Sequence, residues 1–174
     1  NINISLKDKF EINEIKTFLN KDDFFLKRAS KQRKICLKRT VEFLNWRYFD
    51  RPDHKYKVFK FFKNNNLIAY VVLKVYRENK IFRGHIIDLF YDKKENIFNE
   101  IIKFSIKFFV KNNCNEMTLW LQGDESAIGK LKKLGFKVLN SRPMICKFID
   151  LRKSEINELN KKDWYFTMGD TLEI

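Results

Sequence analysis

Two aspartates sit where acid–base chemistry has something to work with. Asp88 lies in HIIDLF, among Ile86, Ile87, Leu89 and Phe90. A carboxyl taken out of water by such neighbours has its pKa raised, which makes it a better proton acceptor near neutral pH. The plainer alternative is that Asp88 pairs with a nearby cation or caps a bulge. Asp170 lies in TMGDT. The glycine before it points to a tight turn at a strand end, where loops carry functional groups, and an Asx-type turn explains the same residues. Trp46 and Arg47, in NWRYF, are candidate substrate-binding residues. Arginine stacks on aromatics and grips carboxylate or phosphate with two bonds; a tryptophan packed on the core beside a snorkelling arginine is the alternative. Trp120 and Trp164 read as core or cleft-wall residues.

The stretch IIDLFYDKKENIFNEII, residues 86–102, runs from a strand pattern into a helical one. Unpaired N–H groups at a helix start seat phosphates well, and the spacing predicts a helix from about Lys94. The hinge has no glycine to let a backbone wrap closely round an anion. Asp92 competes with an anion for the same N–H groups and Glu95 repels it, each helix-end charge being worth about 0.3–1 kcal/mol. Lys93 and Lys94 offset that. The sequence contains no Ser–His–Asp or Cys–His arrangement, no P-loop and no zinc spacing. Its only histidines are His54 and His85. Cys36, Cys114 and Cys146 are scattered, with no CxxC pair, which argues against a disulfide framework and suits a reducing cytoplasm.

The elements that must position these residues follow from periodicity. Ile12, Ile15, Phe18 and Leu19 at helical spacing predict a helix over 8–19. Residues 27–39, KRASKQRKICLKR, carry many cations and no acid, as a solvated face or an anion-facing arm would. TVEFLNWRYF reads as a short helix ending before Pro52. Strand patterns at 56–62, 67–76 and 82–91 are joined by the short polar links KNNN and RENK, predicting an antiparallel meander. A helical stripe over 94–111, with Asp92 and Glu95 resembling a capping box, leads to a strand at 116–122, parallel to the one before it. A second helix over DESAIGKLKKL closes at Gly135. FKVLN, MICKFID and WYFTM are further strand patterns, with SEINELN a helical turn between the last two. The expected architecture is α/β (α+β), a mixed, mostly antiparallel sheet with helices on both faces. Residues 1–40 are expected as a basic helical arm and 41–174 as the main domain.

At 174 residues, with 44% hydrophobic and 16% aromatic side chains, the chain suits one packed domain rather than a disordered one. No apolar run approaches the roughly 20 residues that span a bilayer. The formal net charge of +14 predicts attraction to polyanions at low salt. Lys, Asn, Ile and Phe are abundant while Gly and Pro are scarce, as an AT-rich coding bias would produce, so the charge alone does not name a nucleic-acid function. The sequence opens at Asn1 without methionine, which suggests a piece of something longer.

The element order, with AIGKLKKLGFKVL in its second crossover helix, resembles the GNAT superfamily of acyl-CoA-dependent N-acetyltransferases. Ala127, Ile128, Lys133, Gly135 and Phe136 match the family's A-I-x-L-Y-x-K-x-G-F motif in register, and the likeness in element order covers roughly residues 40–150. FLNWRYFDRPDHKY and DWYFTMGDT resemble segments of a bacterial GNAT-like group often met near surface-polysaccharide genes, some of whose members carry two such halves. The resemblance implies acetyl-CoA or another acyl-CoA as co-substrate, no metal, and a small-molecule or sugar amine as acceptor. It places the donor in a wedge between 85–91 and 117–122, pairing like an added strand, with Leu89, Phe90, Tyr91, Lys93, Lys94, Glu95 and Asn96 as its binding residues. It makes Asp88 the base toward the amine; Asp170, read from its turn, is the second candidate catalytic carboxylate, and Trp46, Arg47 and Trp120 are the candidate substrate-binding residues. Two departures stand out: the family's [RQ]-x-x-G-x-[GA] loop is absent, and the tyrosine that protonates the leaving thiolate falls on Leu131. Silent GNAT-fold halves that bind a substrate or partner, a Fem-type aminoacyl-tRNA-dependent peptidyltransferase half, and a nucleic-acid-binding module are the alternatives.

Overall fold

A computed structural model describes residues 10–52, 55–139 and 160–171. Its centre is a five-stranded sheet in the order β1-β3-β4-β5-β6, with β1 (Glu11–Ile15) at one edge and β6 (Glu116–Leu119) at the other. The strands β3 (Lys57–Lys63), β4 (Asn66–Glu78) and β5 (Ile81–Tyr91) form the expected meander. Each hairpin turns on two successive residues at positive φ, Asn64–Asn65 and Asn79–Lys80, the backbone that matches the twist of paired strands. After β5 comes α3 (Phe98–Lys111), and β6 (Glu116–Leu119) returns parallel to β5.

Helices cover both faces, as expected. On one face α3 and α4 (Glu125–Lys133) bury Phe98, Ile101, Ile102, Phe104, Ala127 and Leu131 against Val71, Leu73, Ile86 and Leu89. On the other, α1 (Asp23–Ser30) and α2 (Val41–Asn45) bury Phe25, Leu26, Ala29, Val41 and Leu44 against Tyr70, Val72, Ile87 and Phe90. A turn of π-helix, Trp46–Asp50, extends α2. A second, small sheet in the order β2-β8-β7 joins β2 (Ile35–Cys36), β8 (Trp164–Thr167) and β7 (Leu121–Gln122).

Several sequence expectations need correction. The helix over 8–19 is instead a strand, β1 (Glu11–Ile15), antiparallel to β3. Two isoleucines three apart fit a helix face and a short strand alike, and the outer edge of β3 supplies the main-chain partners that decide it. Residues 10–40 contribute β1 to the sheet and Phe18, Phe25 and Leu26 to the core. The strand over 116–122 breaks at Trp120 into β6 and β7, which belong to different sheets. Residues 136–139, expected as a strand, are not one. MICKFID, most of SEINELN, His54 and Cys146 lie outside the described residues.

Helix α4 keeps the expected ends: the Asp124 carboxylate accepts from Ala127 N at 3.0 Å, and Gly135 takes φ +87° just past the helix. Gly129 is exposed mid-helix, with nothing among the described residues within 4 Å of an added Cβ. Gly129→Ala is therefore expected to stabilise the fold by roughly 0.5–1 kcal/mol, read as a raised urea midpoint at unchanged slope.

Candidate active site

Strands β5 and β6 pair only over Arg83–Ile86 and Glu116–Leu119. Beyond that they part: β7 pairs with β8 instead, and the β5 edge from Ile87 to Tyr91 has no strand partner on that side among the described residues. A bulge marks the same point. Val72 faces Asp88 and Leu73 faces Ile86, so Ile87 is the extra residue. A bulge breaks the alternation of side chains, and here it turns Ile87 and Asp88 in succession toward the α1–α2 face.

Asp88 lands in a buried polar cluster, 1% exposed. Arg39 Nη2 donates to its Oδ1 at 3.1 Å, Thr167 Oγ1 to the same oxygen at 2.9 Å, and the hydroxyls of Tyr70 and Tyr48 to Oδ2 at 2.7 and 3.0 Å. Arg39 Nη2 also reaches the Asp170 carboxylate at 2.9 and 3.1 Å, and Asp170 accepts from Thr167 N at 2.8 Å. The two aspartates singled out from sequence are thus brought together, through an arginine that sequence reasoning did not pick. Nothing in KRASKQRKICLKR distinguishes Arg39 from the cations around it.

The electrostatics reverse one expectation. Burial raises the Asp88 carboxyl, but the Arg39 guanidinium and the hydrogen bonds from Arg39, Tyr70 and Thr167 outweigh it and hold Asp88 below its ordinary value. Asp170 goes the other way: burial pushes it up, the Asp88 charge adds to that, and Arg39 only partly compensates. Burial and then Asp88 hold Tyr48 and Tyr70 well above their usual values, so both stay hydroxyl donors. Asp88 is therefore a fixed anion, and Asp170 is the carboxylate whose surroundings favour taking a proton.

The remaining candidates are spread around this centre. Arg47 does not stack with Trp46. It is 1% exposed and donates to the main-chain carbonyls of Gly169 at 3.3 Å and Thr171 at 2.6 Å, clamping the turn that carries Asp170. Trp46 is largely exposed beside Phe43, and Trp120 is also exposed. Leu89 and Phe90 are buried on opposite faces of β5. The Tyr91 hydroxyl donates to Asp124 at 2.5 Å. Helix α3 does not start near Lys94. Lys93–Glu95 form one 3-10 turn, Asn96 follows in the left-handed region, and α3 begins at Phe98. Asp92 caps that turn through Lys94 N at 3.0 Å, while Glu95 completes no box and pairs with Lys63 at 2.7 Å. Asn96 Oδ1 accepts from Lys130 at 3.4 Å.

No family model matches the sequence, and no curated protein matches it. Solved structures do. An aminoglycoside acetyltransferase from an uncultured soil metagenomic sample, in complex with trehalose, superposes with a TM-score of 0.55 at 14% identity, covering 84% of this chain and 99% of that one. Glucosamine-6-phosphate N-acetyltransferase from Arabidopsis thaliana gives 0.54 at 14%, over 82% and 100%. An integron cassette protein from the mobile metagenome of V. cholerae gives 0.53 at 13%, over 87% and 99%. The chain has the GNAT fold.

The resemblance drawn from the sequence puts an acyl-CoA donor between the parted strands, so the groups there can be compared with what such a ligand needs. As arranged, they do not accommodate it. The Leu89 carbonyl accepts from the Tyr165 hydroxyl and the Tyr91 carbonyl from Arg33 Nη2 at 3.1 Å. Lys93 N is bonded to Gln32 Oε1 at 2.7 Å, and Lys94 N to Asp92. Two carbonyls of the strand edge and two N–H groups of the following turn, which an added strand and its phosphates would use, are thus already bonded. Leu131 is buried in the core of this GNAT-fold chain and has no proton to give. Among the described residues no cluster of His, Cys, Asp or Glu suits a metal ion, and no helix is long and apolar enough to cross a membrane.

Proposed function

We propose that this chain is a GNAT-type N-acyltransferase domain that passes an acyl group from a CoA thioester to an amine. The observation that carries the reading is the parting of β5 from β6 at Ile86 and Leu119, with a bulge at Ile87. A closed sheet would present no main-chain edge there for an extended ligand. Leu89, Phe90 and Tyr91 form that edge, with Lys93, Lys94, Glu95 and Asn96 at its phosphate end. In this proposal Asp170 takes the proton from the amine, because its carboxyl is the one held up. Asp88 fixes Arg39, Tyr48 and Tyr70 around it. A sugar amine is the proposed acceptor class, supported by two structural neighbours named for aminoglycoside and glucosamine-6-phosphate acetylation.

The test is calorimetry and thermal shift with acetyl-CoA and longer acyl-CoAs, followed by thiol release on mixing with aminoglycosides and glucosamine. Weak binding and measurable transfer are expected. A flat titration and an unmoved melting curve at millimolar donor, in the wild type and in the slot variants described below, end this reading. A second reading, a silent GNAT-fold half, is favoured by the filled slot and by Leu131, and the flat titration is the outcome it requires.

A further inference from the structure

The turn between α1 and β2 lies where an acyl donor would lie. Gln32 Oε1 accepts from Lys93 N and its Nε2 donates to Asp92 Oδ1 at 2.8 Å. Arg33 donates through Nη2 to the Tyr91 carbonyl, and its guanidinium lies 4.2 Å from the centroid of the Phe90 ring and 4.2 Å from that of the Tyr165 ring. Two adjacent side chains thereby take a strand-edge carbonyl and a turn N–H, the two kinds of group that a strand-like ligand ending in phosphates needs. We propose that residues 31–34 are a gate: they occupy the bonds that a donor would take in the slot and must leave it before a donor enters. This rests on the acyltransferase reading above.

Two observations suit a gate better than a permanent plug. The turn is held from both sides by firmer structure, namely Leu26 and Ala29 of α1 in the core and Arg39 in its buried ion pairs. Between these anchors Lys31 and Lys34 are exposed and Gln32 is half-buried. The Lys34 ion pair with Asp163 lies at the surface, where such pairs hold little. The closed position is also imperfect. Arg33 is 8% exposed, yet among the described residues its Nε has no hydrogen-bond partner, and an unmet buried donor raises the energy of the state that contains it.

The experiment uses the whole chain, with Gln32→Ala and Arg33→Ala, and acetyl-CoA as the probe. Calorimetry gives the affinities, and hydrogen exchange follows the amides of residues 31–34 and of Lys93. Apparent affinity scales with the fraction of molecules in the competent state, so both variants are expected to bind about tenfold tighter than wild type. Acetyl-CoA is expected to speed exchange across 31–34 in the wild type. The half-buried position of Gln32 keeps that arm informative if Arg33→Ala does not fold. Equal affinities with unchanged exchange would overturn the gate and leave the acyltransferase reading standing. Weaker binding in Arg33→Ala alone would make Arg33 a donor ligand, which also overturns the gate. No binding by any of the three removes both.

Discussion

Arg39→Met is expected to cost about 3–5 kcal/mol of folding stability, because removing one partner of a buried ion pair strands the other's charge. Here two carboxylates would be stranded. Among the described residues Arg39 is the single cation bonded to both Asp88 and Asp170, and its side chain is fully buried. Urea denaturation of wild type, Arg39→Met, Asp88→Asn and Asp170→Asn should order the costs. Arg39→Met should be the largest and Asp88→Asn the next, since it discards the carboxylate that accepts from Arg39, Thr167, Tyr70 and Tyr48. Asp170→Asn should be the mildest, because burial already disfavours its charge. A cost for Asp170→Asn that exceeds that for Asp88→Asn would reverse the roles assigned to them.

The pH dependence carries the same logic. The folded-state pKa of Asp88 is lowered, so its contribution is complete above its unfolded value of about 3.9 and is lost as pH falls through the lowered one. The folded-state pKa of Asp170 is raised. The folded protein holds that proton more tightly than the unfolded chain, so Asp170 costs stability at neutral pH, and the cost fades as pH falls through the raised value. Without Arg39, burial raises both carboxyls with no opposing cation. The stability gap between wild type and Arg39→Met should therefore narrow as pH drops from about 7 toward 4. A gap that stays constant or widens would mean that packing rather than charge sets the cost.

How much was legible beforehand depended on how local each cause is. The β3–β4–β5 meander could be read because its turns are written into adjacent residues: KNNN and RENK supply the asparagines that tolerate positive φ. The α3 core followed from a 3.6-residue stripe, and the end of α4 from the single position Gly135. β1 was misread because its state depends on an edge of β3 more than 40 residues away. The same holds for the site. Asp88 and Asp170 were visible by residue type, but the direction of the Asp88 pKa was not, because it is set by Arg39, 49 positions earlier. Apolar neighbours in sequence argue for desolvation, and only the fold reveals the counter-charge. Gln32 and Arg33 stayed hidden for that reason too. A run of cations says nothing about which of them will be 8% exposed against a strand edge.

The joint that ends the parted strands gives the other large effect. Gly123 follows β7 at φ +77°, and a Cβ there would lie 2.1 Å from the Trp164 carbonyl oxygen and 3.0 Å from Tyr165 N. Both atoms are backbone, so neither can rotate away, and β8 would have to shift bodily. Gly135 provides the comparison. Its φ is +87°, yet nothing among the described residues lies within 4 Å of an added Cβ, so Gly135→Ala is expected to cost the left-handed conformation, about 1–2 kcal/mol. Gly123→Ala bears that cost and the clash, and is expected to lose on the order of 3–5 kcal/mol, in the range diagnostic of strain at a special backbone site. Because β8 carries Tyr165 across to the Leu89 carbonyl, the shift should also loosen the slot. Hydrogen exchange in Gly123→Ala should show β7 and β8 losing protection ahead of the β3–β4–β5 meander. Equal melting temperatures for the two alanine variants would mean that β8 yields freely at Trp164, and that the small sheet does not hold the strand edge closed.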